Sequence, residues 1–270
     1  MTTVQATTGV ERIASAFGAA RQQGRCALVT YLTAGYPSLA ESPALLAALA
    51  RGGADIIELG VPFSDPVADG PVLQAASQAA LRGGVTPRAC LDLVARARAV
   101  GLAAPVLLMG YYNPILAYGL AAYARDCAAA GVDGLIVPDL PPEEAAPLRA
   151  ACAAHGLALV FLVAPTTAPA RAAEIAAVTQ GFLYVVSRLG TTGGELAVDD
   201  ALRARLAALR RVARTPVAVG FGVSQPEQAR ALAALADGVI VGSAIVQRAP
   251  EGAASVQALV ADLRAALAGS

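Results

Sequence analysis

Eight short apolar runs, ALVTYL, DIIEL, PVLLM, GLIV, LALVFLV, FLYVV, PVAVG and GVIVG, recur along this chain of 270 residues. Between them lie stretches with helical periodicity, such as SLAESPALLAALARGG, YARDCAAAG, EEAAPLRAACAAHG and QPEQARALAALA. The runs are almost continuously apolar, as strands are when both faces of a parallel sheet are covered. Eight such strands alternating with helices close into a barrel, and α/β barrels commonly use this length as one domain. The expected fold is therefore α/β: a single (β/α)8 TIM barrel over residues 1–270, with an extra N-terminal helix near Val10 to Gln23. A faint internal repeat agrees, since GADIIELG at Gly53, GVDGLIVP at Gly131 and LADGVIVG at Leu235 share a helix end, an aspartate and an apolar strand.

Composition narrows the chemistry. Every basic residue apart from one histidine is an arginine; the absence of lysine removes Schiff-base aldolases, lysine-anchored pyridoxal phosphate enzymes and Walker-type nucleotide sites. His155 ends the helical run LRAACAAHG, where capping or solvent exposure accounts for it, and a single histidine makes an ordinary zinc site or a Ser-His-Asp arrangement improbable. Carboxylates and tyrosines are left for proton chemistry. The formal net charge is zero and the arginines form no basic stripe, so no nucleic-acid partner is expected. Ala99 to Ala124 carries no charge, but Pro105, Asn113 and Pro114 interrupt it and it reads as strand, turn and helix, not as a membrane span. The segment MTTVQATTGVER has neither a basic nor an apolar signal region, so a cytoplasmic protein is expected. Cys26, Cys90, Cys127 and Cys152 lie far apart and read as core-filling thiols.

In eight-stranded barrels chemistry sits at the C-terminal ends of the strands. Glu58 interrupts the run Ile56, Ile57, Glu58, Leu59, and alternation turns it away from Ile57 and Leu59 into the barrel mouth. Two readings compete: a buried carboxylate satisfied by hydrogen bonds, or a desolvated acid whose raised pKa lets it give and take a proton. The following loop carries Asp65 and Asp69 between prolines. Asp69 is either the cap of a helix starting near Pro71 or a carboxylate that a substrate lid brings to a donor group. Asp65 stays open between solvated loop acid, turn former and partner contact. Three glycine-bearing loops follow the last strands: SRLGTTGGE from Ser187, GFGVS from Gly220 and VGSAIV from Val241. Backbone N–H groups there, with a helix starting at Ser243, suit a phosphate dianion in a chain without lysine.

ELGVPFSDPVADGP, with YLTAGYP, LLMGYYNPI, VPDLP, VSRLGTTG, VGFGVS and VGSAIV in order along the chain, resembles the tryptophan synthase α-subunit family. The resemblance implies retro-aldol cleavage of indole-3-glycerol phosphate to indole and glyceraldehyde 3-phosphate. It assigns Glu58 to proton transfer at indole C3 and the substrate hydroxyl, and Asp69 to the indole N–H and the positive charge on the ring. Tyr184 matches a tyrosine beside Glu58, Tyr31 and Phe221 match indole-pocket positions, and Thr192 matches the loop that closes over Asp69. Gly193, Gly222, Gly242 and Ser243 match the phosphate cradle. For Tyr184, Tyr31 and Phe221, plain core packing competes with these roles. The resemblance also implies a tryptophan synthase β subunit as partner in an α2β2 complex, with pyridoxal phosphate in that partner and no cofactor in this chain. The uncharged Tyr111, Tyr112, Asn113 and Pro114 suit a contact surface. A stand-alone indole-releasing lyase of secondary metabolism is the alternative; an idle scaffolding barrel or a different phosphate-binding barrel would leave Glu58, Asp69 and the acidic loop unexplained.

Overall fold

The computed structural model describes residues 7–187, 198–220, 223 and 225–268. Among the described residues nine strand segments, β1 Ala27–Thr33, β2 Ile56–Gly60, β3 Val106–Met109, β4 Gly134–Ile136, β5 Ala158–Val160, β6 Leu162–Val163, β7 Leu183–Val186, β8 Val217–Gly220 and β9 Gly238–Val241, form one sheet. Every pairing is parallel, in the order β5-β4-β3-β2-β1-β9-β8-β7-β6. The two ends of that order are halves of one apolar run, LALVFLV. Its first half pairs with β4 and its second with β7, so the chain itself closes the ring at Phe161. The break has a local cause: the Phe161 N–H donates to the Thr179 hydroxyl at 3.0 Å, while the Phe161 carbonyl still accepts from Tyr184 N–H at 3.1 Å. The eight expected runs thus become eight barrel positions, one of them split.

Strand parity divides the core into two shells. Ile57, Leu59, Val106, Leu108, Leu135 and Leu183 face the surrounding helices. Val29, Tyr31, Ile56, Leu107, Met109, Phe182 and Tyr184 face the barrel interior. The N-terminal helix Gly9–Gln22 begins with a capping box, in which Glu11 N–H donates to the Thr8 hydroxyl at 3.2 Å and Thr8 N–H donates to the Glu11 carboxylate at 2.8 Å. Its apolar stripe of Ile13, Phe17 and Ala20 joins the interior shell, with the Phe17 and Phe182 rings 5.7 Å apart. This helix plugs the end of the barrel where the strands start, and burying a side chain such as Phe17 contributes roughly 1.5–3 kcal/mol.

The repeated aspartates fasten that same end. Asp55 accepts from Leu28 N–H at 2.8 Å, Asp133 from Val106 N–H at 2.7 Å, and Asp237 from Val217 N–H at 2.9 Å. Each aspartate's own N–H returns to the carbonyl of that same residue. Each carboxylate also meets arginine: Asp55 with Arg25, Asp133 with Arg12 and Arg98, Asp237 with Arg210. Adjacent strands are thereby held in register at their N-terminal ends.

The outer helices follow the sequence closely, with their starts trimmed by proline. Helices Pro71–Arg82, Pro87–Ala99, Pro169–Val178 and Pro226–Ala233 all begin on one, where its missing N–H costs nothing. The four cysteines are free and buried, as expected of core-filling thiols. His155 is the exposed C-cap of helix Ala146–Ala154. Ala99 to Ala124 resolves into strand, turn and helices, and no helix of the described residues is long and apolar enough to cross a membrane.

Candidate active site

Glu58 is the third residue of β2 and shares the interior parity of Ile56. Its strand neighbours in register are Tyr31 on β1 and Leu107 on β3. The side chain is 0% exposed, and among the described residues neither carboxylate oxygen has a hydrogen-bond partner. Burial lifts its pKa from 4.5 to about 8, because the charged form loses its hydration with nothing to replace it. Of the two readings of Glu58, burial without a protein partner among the described residues favours the desolvated acid.

Asp69 lies across the mouth on the loop after β2. It does not cap the following helix: the cap residue is Gly70, with no side-chain cap bond. Asp69 is half-buried, and desolvation raises its pKa from 3.8 to about 6 against the opposing hydrogen bond from Tyr111. The Tyr111 hydroxyl accepts from Ala68 N–H at 3.0 Å and donates to the Asp69 carboxylate. Its ring stacks on Phe63, with centroids 5.2 Å apart. Ser77 fixes the loop's entry, its hydroxyl accepting from Phe63 N–H at 2.9 Å. The tip of the loop is exposed around Asp65, and Val67 is 83% exposed.

Tyr111 is the residue that sequence reasoning placed wrongly. As part of an uncharged stretch it suggested a contact surface; in the fold it is 5% exposed and anchors the backbone and carboxylate of the acidic loop. The available signal was its position just past the end of β3, where barrel side chains reach the mouth.

Tyr31 and Tyr184 complete the interior ring around Glu58. Both hydroxyls are buried, and burial is the largest cause of their raised pKa values; Glu58 and Asp69 add to it in each case. The Tyr31 ring crosses Gly60 so closely that a Cβ there would stand 2.0 Å from the Tyr31 hydroxyl. Glycine at that position is a packing requirement. Gly242 differs: a Cβ there would meet Tyr31 Cβ only at 3.4 Å, an ordinary contact. Gly242 caps the helix Ser243–Arg248 at the C-terminal end of β9, two strands from Glu58, and Ser243 is the first helical residue. The first N–H groups of a helix have no intrahelical acceptor, so this end offers donors to an anion. Thr192, Gly193, Phe221 and Gly222 lie outside the described residues.

A sequence model described as tryptophan synthase alpha chain matches residues 17–268. A tryptophan synthase alpha chain of Geobacter sulfurreducens is 50% identical over 238 residues, covering 88% of this chain and 90% of that protein. The chain belongs to the tryptophan synthase alpha chain family. One from Burkholderia multivorans is 48% identical over 267 residues, covering 97% of this chain and 98% of its own length. Among solved structures, Mycobacterium tuberculosis tryptophan synthase superposes with a TM-score of 0.89 at 43% identity, covering 96% of this chain and 99% of that one. Membership bears out the resemblance carried by ELGVPFSDPVADGP, the barrel fold, and the lyase activity expected of a tryptophan synthase alpha chain.

Proposed function

We propose that this chain cleaves indole-3-glycerol phosphate with Glu58 and Asp69 in separate roles, and that the whole chain acts as one barrel domain. The observation that carries the reading is the pair of carboxyls at one barrel mouth whose environments set their pKa values apart, about 8 and about 6. Near neutral pH the first holds a proton and the second does not, which separates acid from electrostatic partner. Protonated Glu58 delivers its proton to indole C3. Asp69 accepts the indole N–H and stabilises the positive charge that develops on the ring. Glu58, now a carboxylate, takes the proton of the substrate hydroxyl while the carbon–carbon bond breaks. Its electron pair returns to the ring, indole leaves, and glyceraldehyde 3-phosphate is the other product.

Tyr184 packs beside Glu58 and restricts its carboxyl to the mouth, and Tyr31 forms the wall against which the indole lies. Gly242 and Ser243 hold the phosphate together with Gly193 and Gly222, while Phe221 and Thr192 contribute to the pocket and its closure. The route uses the chain's own carboxyls, so pyridoxal phosphate belongs to a β subunit that receives the indole in an α2β2 assembly. A cytoplasmic setting fits such a biosynthetic enzyme.

Indole release by the purified chain, alone and with a tryptophan synthase β subunit added, tests this reading. Slow release that rises sharply with the partner is expected. Fast release without any partner effect would point to a stand-alone lyase, and no release in either condition would overturn the assignment.

A further inference from the structure

A polar cavity opens at the opposite end of the barrel from Glu58. Its volume is about 540 Å³, and its lining includes Arg21, Arg25, Arg210, Arg214, Thr215 and Asp237. Phe17 of the plug helix and the residues leading into β1, β8 and β9 form its apolar part. It therefore lies at the N-terminal rim of the sheet, remote from the carboxyls of the mouth.

Charge is unevenly distributed there. Four guanidinium groups face one lining carboxylate. Arg25 is committed to Asp55, which accepts two bonds of 2.5 and 2.6 Å, and Arg210 to Asp237 at 3.1 Å. Arg21 and Arg214 are exposed and have no carboxylate within ion-pair distance among the described residues. Since the chain as a whole has a formal charge of zero, this excess is local. Arg21 and Arg210 stand in the last turns of their helices, where cations complement the dipole. That does not account for Arg214, which lies beyond the helix end, nor for the cavity between the guanidiniums. It also leaves Thr215, whose hydroxyl is buried with no hydrogen-bond partner among the described residues.

We propose that this cavity is a binding site for a small organic phosphate, with Arg21 and Arg214 as its phosphate ligands. The planar fork of arginine suits phosphate oxygens, and a volume of this size falls in the range of roughly 300–1,000 Å³ that holds small-molecule ligands. Phe17 and Pro216 supply an apolar wall for the organic portion, and Arg210 adds charge from the rim.

Calorimetric titration of the full chain with 5′-AMP and with inorganic pyrophosphate tests the site. Saturable binding is expected, weakened by added salt and retained in Gly242→Asp, where the phosphate site of the mouth is blocked. The double substitution Arg21→Ala with Arg214→Ala should weaken binding at least about tenfold, the scale of losing charge-assisted bonds. The thermal midpoint and indole release of that variant should match the parent. Absence of binding at millimolar probe would overturn the proposal. So would binding that Gly242→Asp abolishes, or that the arginine variant leaves intact.

Discussion

Glu58→Gln should make the protein more stable and less active at once, and the stability gain should depend on pH. In the folded chain the Glu58 carboxyl is 0% exposed and without a partner among the described residues, and its pKa is about 8 against an ordinary 4.5. Between those values the folded chain keeps a proton that the unfolded chain has released. Stability is then greatest below about pH 4.5, declines as pH rises, and levels off above about pH 8. At ~1.36 kcal/mol per pH unit, the whole window is on the order of 5 kcal/mol, and about 3 kcal/mol of it falls between pH 5.5 and pH 9. Glutamine has the shape of the protonated acid and does not titrate. Urea unfolding of both proteins at the two pH values should show the variant gaining about 3 kcal/mol on the parent between them. The same substitution should lower indole release by roughly 10²–10⁴, the worth of a positioned acid/base. Parallel stability profiles would refute the desolvated carboxyl, and near-normal turnover would refute its catalytic role.

The kcat/KM profile should be bell-shaped, rising as Asp69 ionises near pH 6 and falling as Glu58 loses its proton near pH 8; a flat profile across this range would contradict the assignment of acid and electrostatic partner. Tyr111→Phe keeps the ring on Phe63 but removes the hydroxyl that holds Ala68 and Asp69. It should cost roughly tenfold in kcat/KM and move the acid limb upward, because that hydroxyl's donated bond lowers the Asp69 pKa. Gly242→Asp should weaken glycerol phosphate binding measured by calorimetry, through crowding and charge repulsion, and unchanged affinity would count against the cradle. Asp133→Ala leaves Arg12, Arg98 and the Val106 N–H without their carboxylate and should destabilise the barrel by about 3–5 kcal/mol in urea unfolding.

Barrel topology was legible because parallel strands covered on both faces must be apolar throughout, and eight such runs admit few other arrangements. The period of two within β2 was enough to turn Glu58 inward, since Ile57 and Leu59 needed the helices. Other features depend on tertiary partners that no local pattern announces. The split at Phe161 arises from a hydroxyl at Thr179, and the anchoring role of Tyr111 arises from a loop 43 residues away in sequence. The repeated aspartates were visible as a pattern, yet their work as clamps on a neighbouring strand's N–H appears only when the sheet is closed. Whether Asp69 capped a helix was likewise undecidable until Gly70 took that position.

These features divide the molecule into ends with opposite physical demands. At the N-terminal rim, carboxylates are matched to backbone donors and guanidiniums, and the interior is filled by Ile13, Phe17 and Phe182. At the C-terminal mouth, Glu58 is buried without a partner among the described residues, an arrangement that disfavours folding at alkaline pH. A hydrogen-bond partner supplied from within the chain would stabilise the Glu58 carboxylate, lower its pKa and leave it without a proton to give at neutral pH. Under the proposed mechanism, a Glu58 without such a partner keeps its proton available to the substrate, while the register clamps at the other end hold the barrel's shape around it.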